Sequence, residues 1–192
     1  MNNPTLRHTT IDAEESFART ICEDFLMWVR AGNGRPNKTT FVRLSLLQPG
    51  FQFTLSIRIQ ELMQHIPVIG KVLRRLLWFG TTMFFGSEIS IGAKIGSGVY
   101  FPHPWGIVIG DGVLVGKNVS IFQHTTLGRS NFAEKQVPTV MNDVTIYAGA
   151  TIIGSIILGE KSVIGANSVV FKDVPAHYVV AGNPASVIKK TL

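Results

Sequence analysis

The chain has 192 residues, of which 45% are hydrophobic and 16% charged, and its formal net charge is +6. This length and apolar content suffice for one packed domain with an appendage and leave no need to invoke disorder. The single cysteine, Cys22, excludes an intramolecular disulfide and a zinc–cysteine cluster and favours a reducing compartment. Residues 1–16 contain no apolar secretory core, so cytoplasmic residence is the default expectation.

Three helices are predicted in the first part of the chain. Apolar residues recur at helical spacing over 11–31, and the run AGNGRPNK ends that helix. A second helix follows Pro49 and ends or kinks at Pro67, and a third covers 68 to about 85. Between residues 35 and 75 seven basic residues face one acid, Glu61. This excess predicts either an anionic partner or a solvated face.

The third helix combines basic residues with a long apolar run. Its uncharged part is shorter than the roughly 20 residues that span a bilayer. Two interpretations stay open: the helix caps the open edge of the β-structure that follows, or 68–85 makes a peripheral contact at the inner membrane face.

A six-residue period dominates the second half. Aliphatic residues stand at every sixth position from 140 to 170, and the same spacing occurs earlier; the positions are Ile109, Val115, Ile121, Leu127, Val140, Ile146, Ile152, Leu158, Ile164 and Val170. Neither a helix nor a flat strand has this period, whereas short strands joined by corners do. Three sides would give a coil of about 18 residues, as in a parallel β-helix. A β-sandwich of short strands is the alternative.

The predicted organisation is therefore a helical region over 1–88, a β-helix over 89–173 and a tail over 174–192. Two stretches interrupt the period: the corner around His103, and a loop over 129–139. Loops on rigid scaffolds often carry functional residues.

The histidine at the first interruption is the strongest catalytic candidate. The sequence has no G-x-S-x-G elbow, Walker loop, H-E-x-x-H or C-x-x-C motif. His103 stands between Pro102 and Pro104, which restrict its backbone. An imidazole exchanges protons near neutral pH, as a general base must. A surface histidine at an irregular corner is the alternative.

Three motifs carry a family resemblance. H-x-x-G-I-V-I-G, Q-x-x-T-L-G and A-G-N-P-A, with the hexads between them, resemble the hexapeptide-repeat acyltransferases, in the serine acetyltransferase branch and its polysaccharide O-acetyltransferase relatives. The resemblance covers about residues 45–190. It implies a left-handed parallel β-helix, a homotrimer, acetyl-CoA as co-substrate and no metal.

The resemblance also implies site residues. His103 matches the family's catalytic base, which deprotonates an acceptor hydroxyl for direct attack on the thioester. Ala148, Gly149 and Ala166 match small residues along the pantetheine arm, and Lys172 is a candidate partner for the CoA phosphates. His124 either replaces a missing polar group at the catalytic centre or only lines the trimer seam.

Two departures from the serine acetyltransferase pattern bear on the acceptor. Pro102 stands where those enzymes have an aspartate, and Val137 stands where they have a histidine. Loss of a charged partner typically costs about 2–5 kcal/mol of recognition. We therefore predict transfer to a sugar hydroxyl of a surface or exopolysaccharide precursor, either a small-molecule or a lipid-linked saccharide. Serine O-acetylation in cysteine biosynthesis is the alternative, and a non-enzymatic scaffold is a third interpretation.

Overall fold

The computed structural model describes residues 16–32, 34–131 and 136–191. Four helices come first: α1 (Phe17–Ala31), α2 (Lys38–Leu47), α3 (Pro49–Met63) and α4 (Ile69–Phe85). Helix α2 was not predicted. The start of the predicted first helix, 11–15, and residues 132–135 of the predicted loop lie outside the described residues.

Local sequence signals account for the helix ends. The side chain of Asn37 accepts a hydrogen bond from Thr40 N at 2.8 Å, which satisfies a free amide at the start of α2. Pro49 begins α3, where a missing N–H costs nothing. Gly86 follows α4 with φ +57°, a left-handed conformation that glycine adopts without strain.

Short strands follow the helices. Within the described residues they are β1 (Glu88–Ile89), β2 (Lys94–Ile95), β3 (Val108–Ile109), β4 (Leu114–Val115), β5 (Ser120–Ile121), β6 (Thr126–Gly128), β7 (Thr139–Val140), β8 (Thr145–Ile146), β9 (Thr151–Ile153), β10 (Ile157–Leu158), β11 (Val163–Ile164), β12 (Val169–Val170), β13 (Tyr178–Gly182) and β14 (Ala185–Lys190). They form three sheets in the orders β1-β3-β6-β9-β12, β2-β4-β7-β10 and β5-β8-β11-β13-β14. All pairs are parallel except the terminal hairpin β13–β14.

The six-residue period builds the core. In the regular part, Thr151 pairs with Val169, so one coil is 18 residues long. The periodic aliphatic residues from Ile109 to Val170 are at most 3% exposed. Burial of a continuous aliphatic column stabilises stacked coils that could not fold singly. The prediction of a left-handed parallel β-helix with an N-terminal helical region is confirmed, and the β-sandwich alternative is wrong.

Helix α4 covers the first coil with its inner side. The Trp78 indole N–H donates to Ile89 O, and the Arg74 guanidinium donates to Ile91 O, both at 2.9 Å. These carbonyls lie at the start of the β-helix, where no earlier coil provides donors. The inner side of α4 therefore caps the first coil, as the first of the two interpretations predicted. None of the described helices is long and apolar enough to cross a membrane, and a peripheral contact of 68–85 stays a prediction.

A buried ion pair covers the rest of the first coil. Arg58 on α3 donates to Asp24 on α1 at 2.8 Å and also to the carbonyls of Ile95 and Gly96. Asp24 in turn accepts from the amide of Gly98 at 2.8 Å. Burial lowers the pKa of Arg58, but the two neighbouring carboxylates outweigh it, so the pKa is raised and the guanidinium stays charged. The pair therefore fixes both helices against the coil that leads to His103.

Candidate active site

His103 lies on the wall of a cleft between the helices and the first coil. The cleft has a volume of about 470 Å³, and helices α1 and α2 form its opposite side. Its polar and aromatic lining consists of Trp28, Thr40, Arg43, Gln48, Tyr100 and His103, beside Pro102. The imidazole is solvent-exposed, so a ligand in the cleft can reach it.

The corner that carries His103 is held on both sides. Ser87 donates from its hydroxyl to Pro104 O at 2.8 Å and accepts from Ile107 N at 2.9 Å. Tyr100 bonds the next coil through its amide and its carbonyl, each at 2.9 Å. With a proline on each side, the backbone of His103 has little freedom. A fixed imidazole suits proton transfer to a bound acceptor.

The cleft is basic and contains an unused donor. Arg43 and His103 line it, and no acidic residue does among those that the structure describes. Trp28 is 7% exposed, and its indole N–H has no hydrogen-bond partner within the described part of the chain. Burial raises the pKa of Tyr100, so its hydroxyl stays protonated around neutral pH. The cleft therefore favours a ligand with an anionic group.

Four of the other predicted site residues lie on a ladder along one edge of the β-helix. His124 N donates to Trp105 O at 3.0 Å, and one coil further Gly149 N donates to Gln123 O at 3.0 Å. On the following coil Asn167 N donates to Ala148 O at 2.8 Å. His124, Ala148, Gly149 and Ala166 thus share one corner column, which begins three residues after His103.

Glycine is required at two positions of this edge. Gly149 has φ +74°, and a Cβ there would clash with the side-chain oxygen of Asn167. Gly106 has φ +67°, and a Cβ there would clash with the imidazole of His124. His124 therefore packs over Gly106 and does not line the cleft of His103. Lys172 follows β12 and lies at the far end of that strand from Ala166.

Sequence reasoning missed the residues that complete the cleft. Trp28, Arg43 and Gln48 come from α1, α2 and the α2–α3 junction, respectively. The Asn37 cap, followed by apolar Phe41 and Leu44, was the available signal for α2. Val137 lies elsewhere: it packs against the β-helix core and is not part of the cleft lining.

Comparisons with known proteins agree with this geometry. The family model "Bacterial transferase hexapeptide (six repeats)" matches residues 138–172. A serine acetyltransferase of Helicobacter pylori (strain ATCC 700392 / 26695) is 37% identical over 148 residues, which are 76% of this chain and 84% of that protein. The chain belongs to the serine acetyltransferase family.

Solved structures of this family have the same fold. The crystal structure of the Brucella abortus serine acetyltransferase in complex with coenzyme A matches with a TM-score of 0.80 and 30% identity. The match covers 95% of this chain and 71% of that one. A Synechococcus elongatus serine acetyltransferase is 38% identical over 149 residues. The chain spans 59% of that protein's length, and about half of several other family members.

The family corrects the predicted acceptor. The preference for a sugar hydroxyl, and with it polysaccharide biosynthesis and a lipid-linked saccharide, is wrong, because relatives at 37–44% identity are serine acetyltransferases. The prediction rested on the missing polar groups at Pro102 and Val137. The structure brings Arg43 into the cleft from a helix that the sequence pattern did not predict. A cationic side chain is therefore present in the cleft, at a position other than those two.

Proposed function

We propose that this chain is an acetyl-CoA-dependent O-acetyltransferase whose acceptor is the hydroxyl of L-serine. The observation that carries this proposal is that His103 and Arg43 line the same cleft, in a member of the serine acetyltransferase family. Acetylation of a hydroxy amino acid needs a base that deprotonates the hydroxyl and is helped by a cation that binds the carboxylate.

The proposed reaction needs no covalent enzyme intermediate. His103 takes the proton of the serine hydroxyl as its oxygen attacks the thioester carbonyl carbon of acetyl-CoA. The C–S bond then breaks, and the imidazolium returns the proton to the departing thiolate. O-acetylserine and CoA are the products, so atoms and charge balance. The family's general base supports this role for His103, and its rigid corner supplies the orientation.

Recognition of the acceptor comes from the helical side of the cleft. Arg43 would bind the serine carboxylate, and the unpartnered indole N–H of Trp28 is a further donor in the same cleft. Gln48 offers an amide oxygen that could accept from the ammonium group. With its carboxylate and ammonium group bound on the helical side, the serine would present its hydroxyl to His103.

Acetyl-CoA would lie along the edge ladder. Ala148, Gly149 and Ala166 lie on this edge and match the small residues along which the family's pantetheine arm lies, and Lys172 would neutralise a CoA phosphate. We place His124 on this edge beside the thioester end, one coil above Gly106. A homotrimer belongs to the same proposal, since a neighbouring coil would form the second wall of the arm's groove.

Acetyl transfer by the purified full chain tests the proposal. We expect O-acetylserine, identified by mass spectrometry, together with release of the CoA thiol from acetyl-CoA and L-serine. Arg43→Gln should raise KM for serine by roughly 30-fold or more, as expected when a charged partner is lost, and leave KM for acetyl-CoA unchanged. Arg30→Gln removes an exposed arginine outside the cleft and serves as the control. Absence of transfer to L-serine in the wild type would overturn the proposal.

A further inference from the structure

The corner that carries His103 is longer than the corresponding corner of the next coil. Tyr100 pairs with Ser120, and Val108 pairs with Thr126. From the first pair to the second, the coil of His103 advances eight residues and the next coil six. The two additional residues have no counterpart in the next coil, so the backbone around His103 depends on other groups for its hydrogen bonds.

The Ser87 hydroxyl supplies hydrogen bonds inside this corner. It donates to Pro104 O at 2.8 Å and accepts from Ile107 N at 2.9 Å, so it fixes the carbonyl of the residue that directly follows His103. Among the described residues, neither of these two backbone groups has another hydrogen-bond partner. Ser87 is 2% exposed and Ile107 is fully buried, so water does not supply these bonds in its place.

Ser87 reaches the corner from the end of the helix that caps the first coil. It follows Gly86, which ends α4, and directly precedes β1. Its neighbour Glu88 donates from its amide to Ile107 O at 2.8 Å. Both backbone polar groups of Ile107 are therefore bonded to the segment after α4, and this segment holds the corner in place.

We infer that Ser87 is a positioning residue for His103. Its hydroxyl keeps the extended corner in the one shape that holds the imidazole on the wall of the cleft. Ser87 does not line the cleft, so it acts through the corner and not on the acceptor. A displacement of about 1 Å at a reacting group can lower a rate by about 100-fold. The inference rests on the proposed function, since His103 is the base of that reaction.

Steady-state kinetics of Ser87→Ala with L-serine and acetyl-CoA tests the inference. We expect kcat to fall by about 10- to 100-fold, while KM for acetyl-CoA stays unchanged. Thr81→Val is the matched control, because this buried hydroxyl of α4 donates to Leu77 O within its own helix, also at 2.8 Å. Its kcat should equal that of the wild type.

A double-mutant cycle with His103→Ala separates positioning from a general structural effect. Because Ser87 acts through the imidazole, Ser87→Ala should lower the residual rate of His103→Ala by less than about twofold. A purely structural effect would lower that rate by the same factor as in the wild type. Urea unfolding of each variant shows that the kinetics compare folded proteins.

Hydrogen exchange of the Ile107 amide gives a readout that needs no activity. This amide should exchange at least about 10-fold faster in Ser87→Ala than in the wild type and in Thr81→Val, because its partner is lost.

The outcomes distinguish this inference from the proposed function. An unchanged kcat of Ser87→Ala, with an active wild type, would overturn the inference and leave the proposed function standing. So would an equal loss with and without the His103 imidazole, or an unchanged exchange rate of the Ile107 amide. A wild type that forms no O-acetylserine would overturn the proposed function and this inference with it.

Discussion

The Asp24–Arg58 pair should be a main determinant of stability. The Asp24 carboxylate is fully buried and accepts four hydrogen bonds: from Arg58 Nε at 2.8 Å, Arg58 Nη2 at 3.2 Å, Gly98 N at 2.8 Å and Val99 N at 3.2 Å. Asp24→Asn keeps the shape but turns one oxygen into a donor that faces other donors. It also leaves the buried guanidinium without its main counter-charge.

We expect Asp24→Asn to lower the free energy of unfolding by about 3–5 kcal/mol, the usual effect of breaking a buried pair. That is a large part of the roughly 5–15 kcal/mol that stabilises a typical domain. Glu61→Gln is the matched control, because this carboxylate pairs with the same arginine but its side chain is 31% exposed. Its loss should cost about 1 kcal/mol or less.

Urea unfolding of the three proteins, followed by circular dichroism at one fixed protein concentration, measures the difference. Equal midpoints for Asp24→Asn and the wild type would refute the reasoning. So would a larger loss for Glu61→Gln than for Asp24→Asn. Because the pair holds α1 against the coil, Asp24→Asn should also raise KM for the acceptor, while Glu61→Gln should not.

Three further outcomes are expected. Gly50→Ala should destabilise the fold by about 1–3 kcal/mol in urea unfolding, because its Cβ would clash with Phe101 O and the Trp28 ring; Gly80→Ala, which meets no atom within 4 Å, should not. Ala166→Trp should abolish CoA binding in calorimetry, because an indole would fill the proposed path of the pantetheine arm. Burial raises the pKa of Tyr100, so wild-type stability should fall as pH rises from about 10, where the unfolded phenol ionises, through the folded pKa; Tyr100→Phe should remove this loss in urea unfolding at alkaline pH.

The β-helix could be predicted from the sequence because the six-residue spacing of its buried aliphatic residues is a local pattern. Ile152 and Leu158 are buried at successive sides of the same coil, and nothing distant decides their orientation. Helix α2 could not be predicted in this way, because its ten residues show no strong amphipathic pattern. Its position depends on packing of Phe41 and Leu44 against Phe51 and its neighbours. Contacts between side chains of different helices cannot be predicted from the spacing of residues within one helix.

The candidate site likewise contains one residue that the sequence predicts and one that it does not. His103 was predicted as the catalytic base because two prolines and a break in the period mark it locally and because it matches the family's motif. Arg43 was missed because it reaches the cleft only when α2 folds against the first coil. Without it, the missing polar groups at Pro102 and Val137 suggested the wrong acceptor. Absence of a charged group at one position does not exclude a different charged group from another element.

The rate of O-acetylserine formation by the wild type and by His103→Ala tests the central claim most directly. We expect the wild type to acetylate L-serine and His103→Ala to lose about 10²–10⁴-fold in kcat, the usual contribution of a general base. Binding of acetyl-CoA, measured by calorimetry, should be unchanged in the variant. Full activity of His103→Ala with L-serine would contradict the account, and so would a wild type that binds acetyl-CoA but forms no O-acetylserine.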